Sequence, residues 1–138
     1  SAPRGYRDLG RWLARAMRAG SRGPRGAERT GREIGRELAP SDSGPTADAL
    51  ETSLSALGFQ PALTSGEQGR VGFTLCNCPY RDAVRENQPV VCALHRGITL
   101  GLLDVLAPHA RLEGFTPHDP DEAGCTIEVR GLQAIPDR

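Results

Sequence analysis

The stretch PVVCALHRGITLGLLDVLAP, residues 89–108, limits more than any other feature how this chain can fold. Val91, Leu94, Ile98, Leu102 and Val105 recur at helical spacing, and apolar residues also fill most of the remaining faces. A helix that is apolar nearly all round belongs in an interior. The rest of the chain must therefore supply walls on more than one side of it. At 138 residues the chain is long enough for one domain with a true core. No uninterrupted apolar run reaches the roughly 18 residues of a membrane span, so no membrane contact is expected.

Three helices are expected before this segment. In RGYRDLGRWLARAMRAG, Leu9, Trp12, Leu13, Ala16 and Met17 share one face and arginines occupy the other. A second helix runs through Ala27, Ile34 and Leu38 to Pro40, weakened by Gly31 and Gly35. A third carries Leu50, Leu54 and Leu57; Thr46 or Ser43 can cap its start, and Gly58 ends it. FQPALT and RVGFTLC then read as strands joined by the turn SGEQG. PYRDAVREN reads as a short helix with Pro79 in its first turn, and Asn87 caps the long apolar helix. ARLEGF and CTIEVRGL are two further strands around the loop TPHDPDEAG. The expected fold is α+β: an N-terminal helical arm, then an antiparallel sheet packed on helices, in the order ααα–ββ–αα–ββ.

The formal charge is zero but unevenly placed. Residues 1–40 hold ten arginines against Asp8, Glu28, Glu33 and Glu37, whereas residues 41–138 hold seven arginines against thirteen acids. Residues 1–40 thus read as a basic amphipathic arm and dimerisation segment, and residues 46–138 as the α+β body. A solvated helical face accounts for the same charges, and a nearby acidic partner or DNA is the alternative. The apolar stripe of the first helix can be buried on its own body or against a second copy.

Three of the four cysteines, Cys76, Cys78 and Cys92, fall within seventeen residues, and Cys125 stands at the start of the last strand. No signal-peptide pattern is present, which favours a reducing cytoplasm, where clustered cysteines more often bind metal or do redox chemistry than form disulfides. Cys92 and His95, three apart on a helix, share a face and make a half-site. Cys78, directly before Pro79, reads as a helix N-cap, where free N–H groups and the helix dipole favour a thiolate. If strand ends and helix starts meet, Cys78, Cys92 and Cys125 converge with a fourth ligand, His95 first and Cys76 in reserve. Such a set suits tetrahedral zinc or an iron–sulfur cluster. The spacings match no zinc-finger template, so small buried cysteines remain an open alternative. His109 and His118 read as loop residues on the surface, and Asp119, Asp121 and Glu122 as a solvated acidic loop.

The stretches CNCPYRDAVRENQPVVCALHRGITLGLLDVL and EGFTPHDPDEAGCTIEV resemble the C-terminal sensor half of ArsR/DeoR-like winged-helix transcriptional regulators, including the SufR-type iron–sulfur regulators. The shared pattern is matched by Asn77, Cys78, Pro79, Tyr80, Pro89, Val91, Cys92, Leu94, His95, Gly101, Leu102, Leu103 and Cys125, over roughly residues 46–130. The resemblance implies a sensor domain in which Cys78, Cys92 and Cys125 hold an iron–sulfur cluster, with His95 less fixed; the homodimer is expected from the arm's apolar stripe, and zinc from the donor set, as the other occupant. Cys76 departs from the pattern and reads as a bystander. DNA binding is implied only through an N-terminal winged-helix domain that residues 1–40 do not supply. The body is also similar to 4-vinyl-reductase-like small-molecule-binding domains, in which the cysteines would be structural. An enzyme built on Cys92 and His95 is not expected, because a nucleophile on a buried helix lacks access and no orienting residue or oxyanion motif accompanies it.

Overall fold

The computed structural model describes residues 4–20, 23–41, 43–65, 69–119, 121–122 and 124–133. Its elements in order are α1 (Arg4–Arg18), α2 (Pro24–Leu38), α3 (Ala47–Ala56), β1 (Pro61–Ser65), β2 (Arg70–Leu75), α4 (Arg81–Leu106), β3 (Arg111–Thr116) and β4 (Cys125–Arg130). Part of the expected SGEQG turn, residues 66–68, lies outside the described residues.

Local chemistry sets most of these boundaries. The Thr46 hydroxyl accepts the Ala49 N–H at 3.1 Å and caps α3. At its other end Gly58 adopts φ 101°. Its N–H bonds the Ser55 carbonyl, and the Phe59 N–H bonds that of Leu54. This is a Schellman ending, and the positive φ is why glycine stands there.

The two helices expected between the sheet's halves are one. α4 runs continuously from Arg81 to Leu106 except at Asn87, whose φ −157° and ψ 77° break the helical path. The Asn87 side chain accepts the Val90 N–H at 3.4 Å, so it caps the second segment, and Pro89 sits in a first turn that needs no N–H from it. The order is thus ααα–ββ–α–ββ. The start of α4 also differs from expectation: its N-cap is Tyr80, so Cys78 and Pro79 precede the helix. α4 is long and apolar enough to cross a membrane by length and composition, but 56% of that window is buried within the fold, as in a core helix.

α2 lies along α4 at very close range. A Cβ added at Gly31 or Gly35 would overlap the carbonyl oxygens of Leu94 and Ile98. One added at Gly97 or Gly101 would overlap those of Glu28 and Arg32. The four glycines, paired four apart on each helix, let the two backbones touch. Gly31 and Gly35 are therefore the packing surface of α2 and not merely its weakness. Ion pairs flank the seam. Asp104 accepts from Arg32 at 2.7 and 2.8 Å and from Arg36 at 2.9 Å, and Arg96 bonds Glu28.

The sheet is antiparallel, in the order β1-β2-β4-β3. β2 and β3 run the same way without touching, α4 crosses over between them, and β4 slots into the gap, a split β-α-β arrangement. Val71, Phe73, Leu75, Ile127 and Val129 from the sheet join Leu50, Leu54, Leu94, Ile98 and Leu102 from the helices in one core. Leu9, Trp12 and Ala16 of α1 are also buried, whereas Met17 is 72% exposed. Most of the arm's apolar stripe is thus covered by the chain's own body.

Candidate functional site

The topology brings four chain segments to one end of the sheet. In the β2–β4 register Leu75 faces Cys125, so the strand that leaves toward α4 and the strand that enters from the loop meet there. The Gly124 N–H bonds the Leu75 carbonyl at 3.0 Å. β3 ends beside them, with Thr116 opposite Thr126. Gln88, at the kink of α4, donates to the His118 carbonyl at 3.3 Å and ties the helix to the loop that follows β3.

Asn77 shapes the exit from β2. Its Nδ2 donates to the Gly58 carbonyl at 2.8 Å, and its Oδ1 accepts from Arg81 at 3.1 Å. Cys78 follows, and its carbonyl accepts the Arg81 N–H at 3.3 Å to close a turn. The backbone N–H of Tyr80 acts to lower the pKa of the Cys78 thiol. The Cys125 sulfur accepts the His118 N–H at 3.3 Å.

Cys78, Cys92 and Cys125 line one cavity of about 20 Å³, together with His95. The walls are apolar and aromatic, chiefly Phe59, Tyr80, Val91 and Phe115. The His95 ring lies flat on Phe59, with centroids 4.1 Å apart and planes 10° apart, while Phe115 and Tyr80 meet it edge-on at 4.9 and 6.1 Å. Two polar atoms buried here, His95 Nε2 and the Tyr80 hydroxyl, have no hydrogen-bond partner. Leaving such atoms unpaired is costly unless a water or another group meets them.

Burial dominates the electrostatics. It holds the Cys78 thiol above its ordinary range, more than offsetting the Tyr80 N–H bond, with the neighbouring Cys125 adding to the rise. It pushes Cys92 up to about 11, and Cys125 and Cys78 contribute in the same direction. The expected stabilised thiolate at Cys78 is therefore not found: the residue precedes the helix start, and desolvation outweighs the single N–H contact. Burial pushes His95 down to about 3, so its ring is neutral at physiological pH. Burial also raises the Tyr80 phenol.

Each candidate residue has a definite place. Cys78, Cys92, Cys125 and His95 share the cavity, whereas Cys76 is exposed and lines a separate surface depression with Gln60 and Pro61. β2 ends at Leu75, which is why Cys76 and Cys78 do not continue a strand face. Among the described residues, no three His, Cys, Asp or Glu side chains already form a metal-holding group; the three thiols share a cavity wall and not a closed coordination sphere. Burial raises the Cys92 pKa, which disfavours its thiolate at neutral pH. Sequence patterns missed the aromatic enclosure and His118, an exposed residue that nonetheless borders the cavity. The edge-on rings at Tyr80 and Phe115 come from separate elements and leave no periodic trace. No protein family, curated protein or solved structure matches the chain.

Proposed function

We propose that this chain is a thiol-centred sensing and effector domain of a bacterial transcriptional regulator, holding a metal or iron–sulfur centre through Cys78, Cys92 and Cys125. The observation that carries the reading is the meeting of three cysteines from three separate segments on one partly open cavity that is also lined by His95, whose buried imidazole nitrogen has no partner. Three sulfur donors and one nitrogen donor suit tetrahedral zinc, and three thiolates with one further ligand suit an iron–sulfur cluster. The orphaned Nε2 of His95 is the feature of the fold that fits such an occupant.

Ligation would join the β2–α4 loop, the first turns of α4 after the kink, and the start of β4. α4 is pressed backbone to backbone on α2, so a shift of its N-terminal half on binding or loss of the centre would pass to α2 and α1. A homodimer fits this reading, with exposed Met17 available to a second copy. DNA would be contacted by a winged-helix domain of the kind the sequence resemblance implies, in a reducing cytoplasm. The alternative, a small-molecule-binding domain with structural cysteines, draws less support: a cavity of about 20 Å³ has room for about one water, whereas small-ligand pockets run to hundreds of Å³.

The test is anaerobic reconstitution of the purified chain, followed by elemental analysis and visible spectroscopy. Bound iron with sulfide, or bound zinc, that is lost in Cys78→Ser and kept in Cys76→Ser is the expected result. Colourless protein holding neither metal after reconstitution would sink the proposal.

A further inference from the structure

We infer that the outward face of α2 is a contact surface for the phosphate backbone of a nucleic-acid duplex, held by Arg25, Arg29, Arg32 and Arg36. The site lies apart from the cysteine cavity and stands whatever that cavity holds. The four arginines follow one another at spacings of four, three and four, so they form a single row along the helix. At the rise of an α-helix the row is about 16 Å long. The opposite face is buried, and its Gly31 and Gly35 lie against α4. Arg25 and Arg29 are exposed and make no ion pair among the described residues. Arg32 and Arg36 share Asp104, yet their side chains stay 44% and 52% exposed. Beside the row, Arg96 of α4 bonds Glu28. Five arginines thus meet two carboxylates here, while Glu33 and Glu37 lie round the helix and engage Arg15 of α1.

The chemistry of the face selects its occupant. Like charges at this spacing repel along a helix, and an anionic partner relieves that repulsion. A helix that lies in a membrane surface needs a free apolar face, and that of α2 is already buried. A protein partner is anchored by buried aromatic and apolar side chains. Among the described residues the exposed large apolar side chains, Met17, Leu63 and Val105, belong to other elements. Single strands are held by stacking on aromatic rings, and α2 contains none. A straight row of guanidinium groups instead matches a regular line of phosphates. One duplex strand carries a charge about every 3.4 Å of axis, so the row runs beside about five of them. The chain's formal charge is zero, so attraction to a polyanion must come from this local concentration and not from the net charge. Contacts of this kind position the chain on a duplex without reading its sequence.

The experiment titrates the full chain into a short fluorescent DNA duplex, follows anisotropy, and repeats the titration over a series of salt concentrations. Binding is expected at low salt, with log K falling linearly against log salt at a slope of about −3 to −4 for four engaged arginines. Arg25→Gln combined with Arg29→Gln removes two exposed charges and keeps good helix formers. It should make the slope shallower by about 2 and weaken binding at least roughly 10-fold, with an unchanged circular dichroism spectrum. Arg111→Gln makes the same kind of charge change on β3 and should leave affinity and slope as they were. Asp104→Asn takes a carboxylate off the face and should tighten binding, which a folding defect cannot do; weaker binding there would remove Arg32 and Arg36 from the contact. An RNA duplex of the same length shows which nucleic acid the row prefers, and binding to either supports it. No binding to either duplex at low salt overturns the proposal. So does an equal loss in Arg111→Gln, or tighter binding to a single strand or to vesicles of anionic and zwitterionic phospholipid in equal parts. None of these results bears on the metal content of the cysteine cavity.

Discussion

The imidazole of His95 lies parallel to the ring of Phe59, with centroids 4.1 Å apart. Phe59 follows the Schellman ending of α3, whereas His95 is deep in α4, so this stack joins the third helix to the wall of the cysteine cavity. Phe59 is 2% exposed. Phe59→Ala should therefore cost about 3–5 kcal/mol, the usual range for emptying a buried aromatic site. Phe59→Leu should cost less, on the order of 1 kcal/mol, because most of the volume is kept. Urea unfolding followed by circular dichroism measures both. Equal and small losses would mean that the stack does not hold the cavity wall.

The α2–α4 seam predicts opposite outcomes at different glycines. Gly97→Ala and Gly31→Ala put a methyl into a backbone carbonyl of the facing helix, where no side chain can turn aside. Each should cost about 3 kcal/mol, a fall in Tm on the order of 10 °C. Gly10→Ala, on α1 with nothing within 4 Å of the new methyl, should instead stabilise by up to about 1 kcal/mol through helix propensity. A thermal melt that ranks Gly97→Ala with Gly10→Ala would contradict the close approach of α2 and α4.

Those glycines show where a sequence stops being readable. Thr46, Gly58 and Asn87 act on their own neighbours, through a hydroxyl, a positive φ and a side-chain amide, and each signal sits beside the boundary it sets. The apolar surround of residues 89–106 likewise announced a buried helix. Gly31 and Gly35 look like defects when α2 is read alone, because their role depends on Gly97 and Gly101 more than sixty residues away. The cavity falls in the same class. Cys92 and His95 were visible as a helical pair, and Cys78 and Cys125 as isolated candidates. Their placement on one cavity depends on β4 entering between β2 and β3, a choice of strand order that local patterns do not encode.

Asp104 makes part of the stability depend on pH. It accepts from Arg32 and Arg36, and these bonds hold its carboxyl below the usual carboxylate range. The folded pKa is depressed, so the contribution is present above the ordinary carboxylate pKa of about 4 and disappears as pH falls through the lower folded value. Both guanidinium groups are about half in solvent, and screening keeps the contribution near 1 kcal/mol. Asp104→Asn should lose that amount at pH 7, and the gap to the parent chain should close toward pH 3. Urea midpoints at the two pH values check it; a gap that widens in acid would reverse the assignment.

The last prediction concerns thiol reactivity in the metal-free, reduced protein. Cys76 is exposed and lies outside the cavity, so iodoacetamide should modify it first. Cys78 and Cys92 sit in the cavity wall with their thiols held protonated by burial. Only the thiolate reacts. With its pKa at about 11, Cys92 should be the slowest of the three, and its rate should rise about tenfold per pH unit between pH 7 and 9, since the thiolate fraction does so well below the pKa. Peptide mapping by mass spectrometry over a time course resolves each cysteine. Loading with zinc should slow Cys78, Cys92 and Cys125 further and leave Cys76 unchanged, because ligation occupies the sulfur lone pair that alkylation needs. Rapid labelling of Cys92 at pH 7 would mean that the cavity opens freely to solvent, and would turn attention from a ligand to a nucleophile paired with His95.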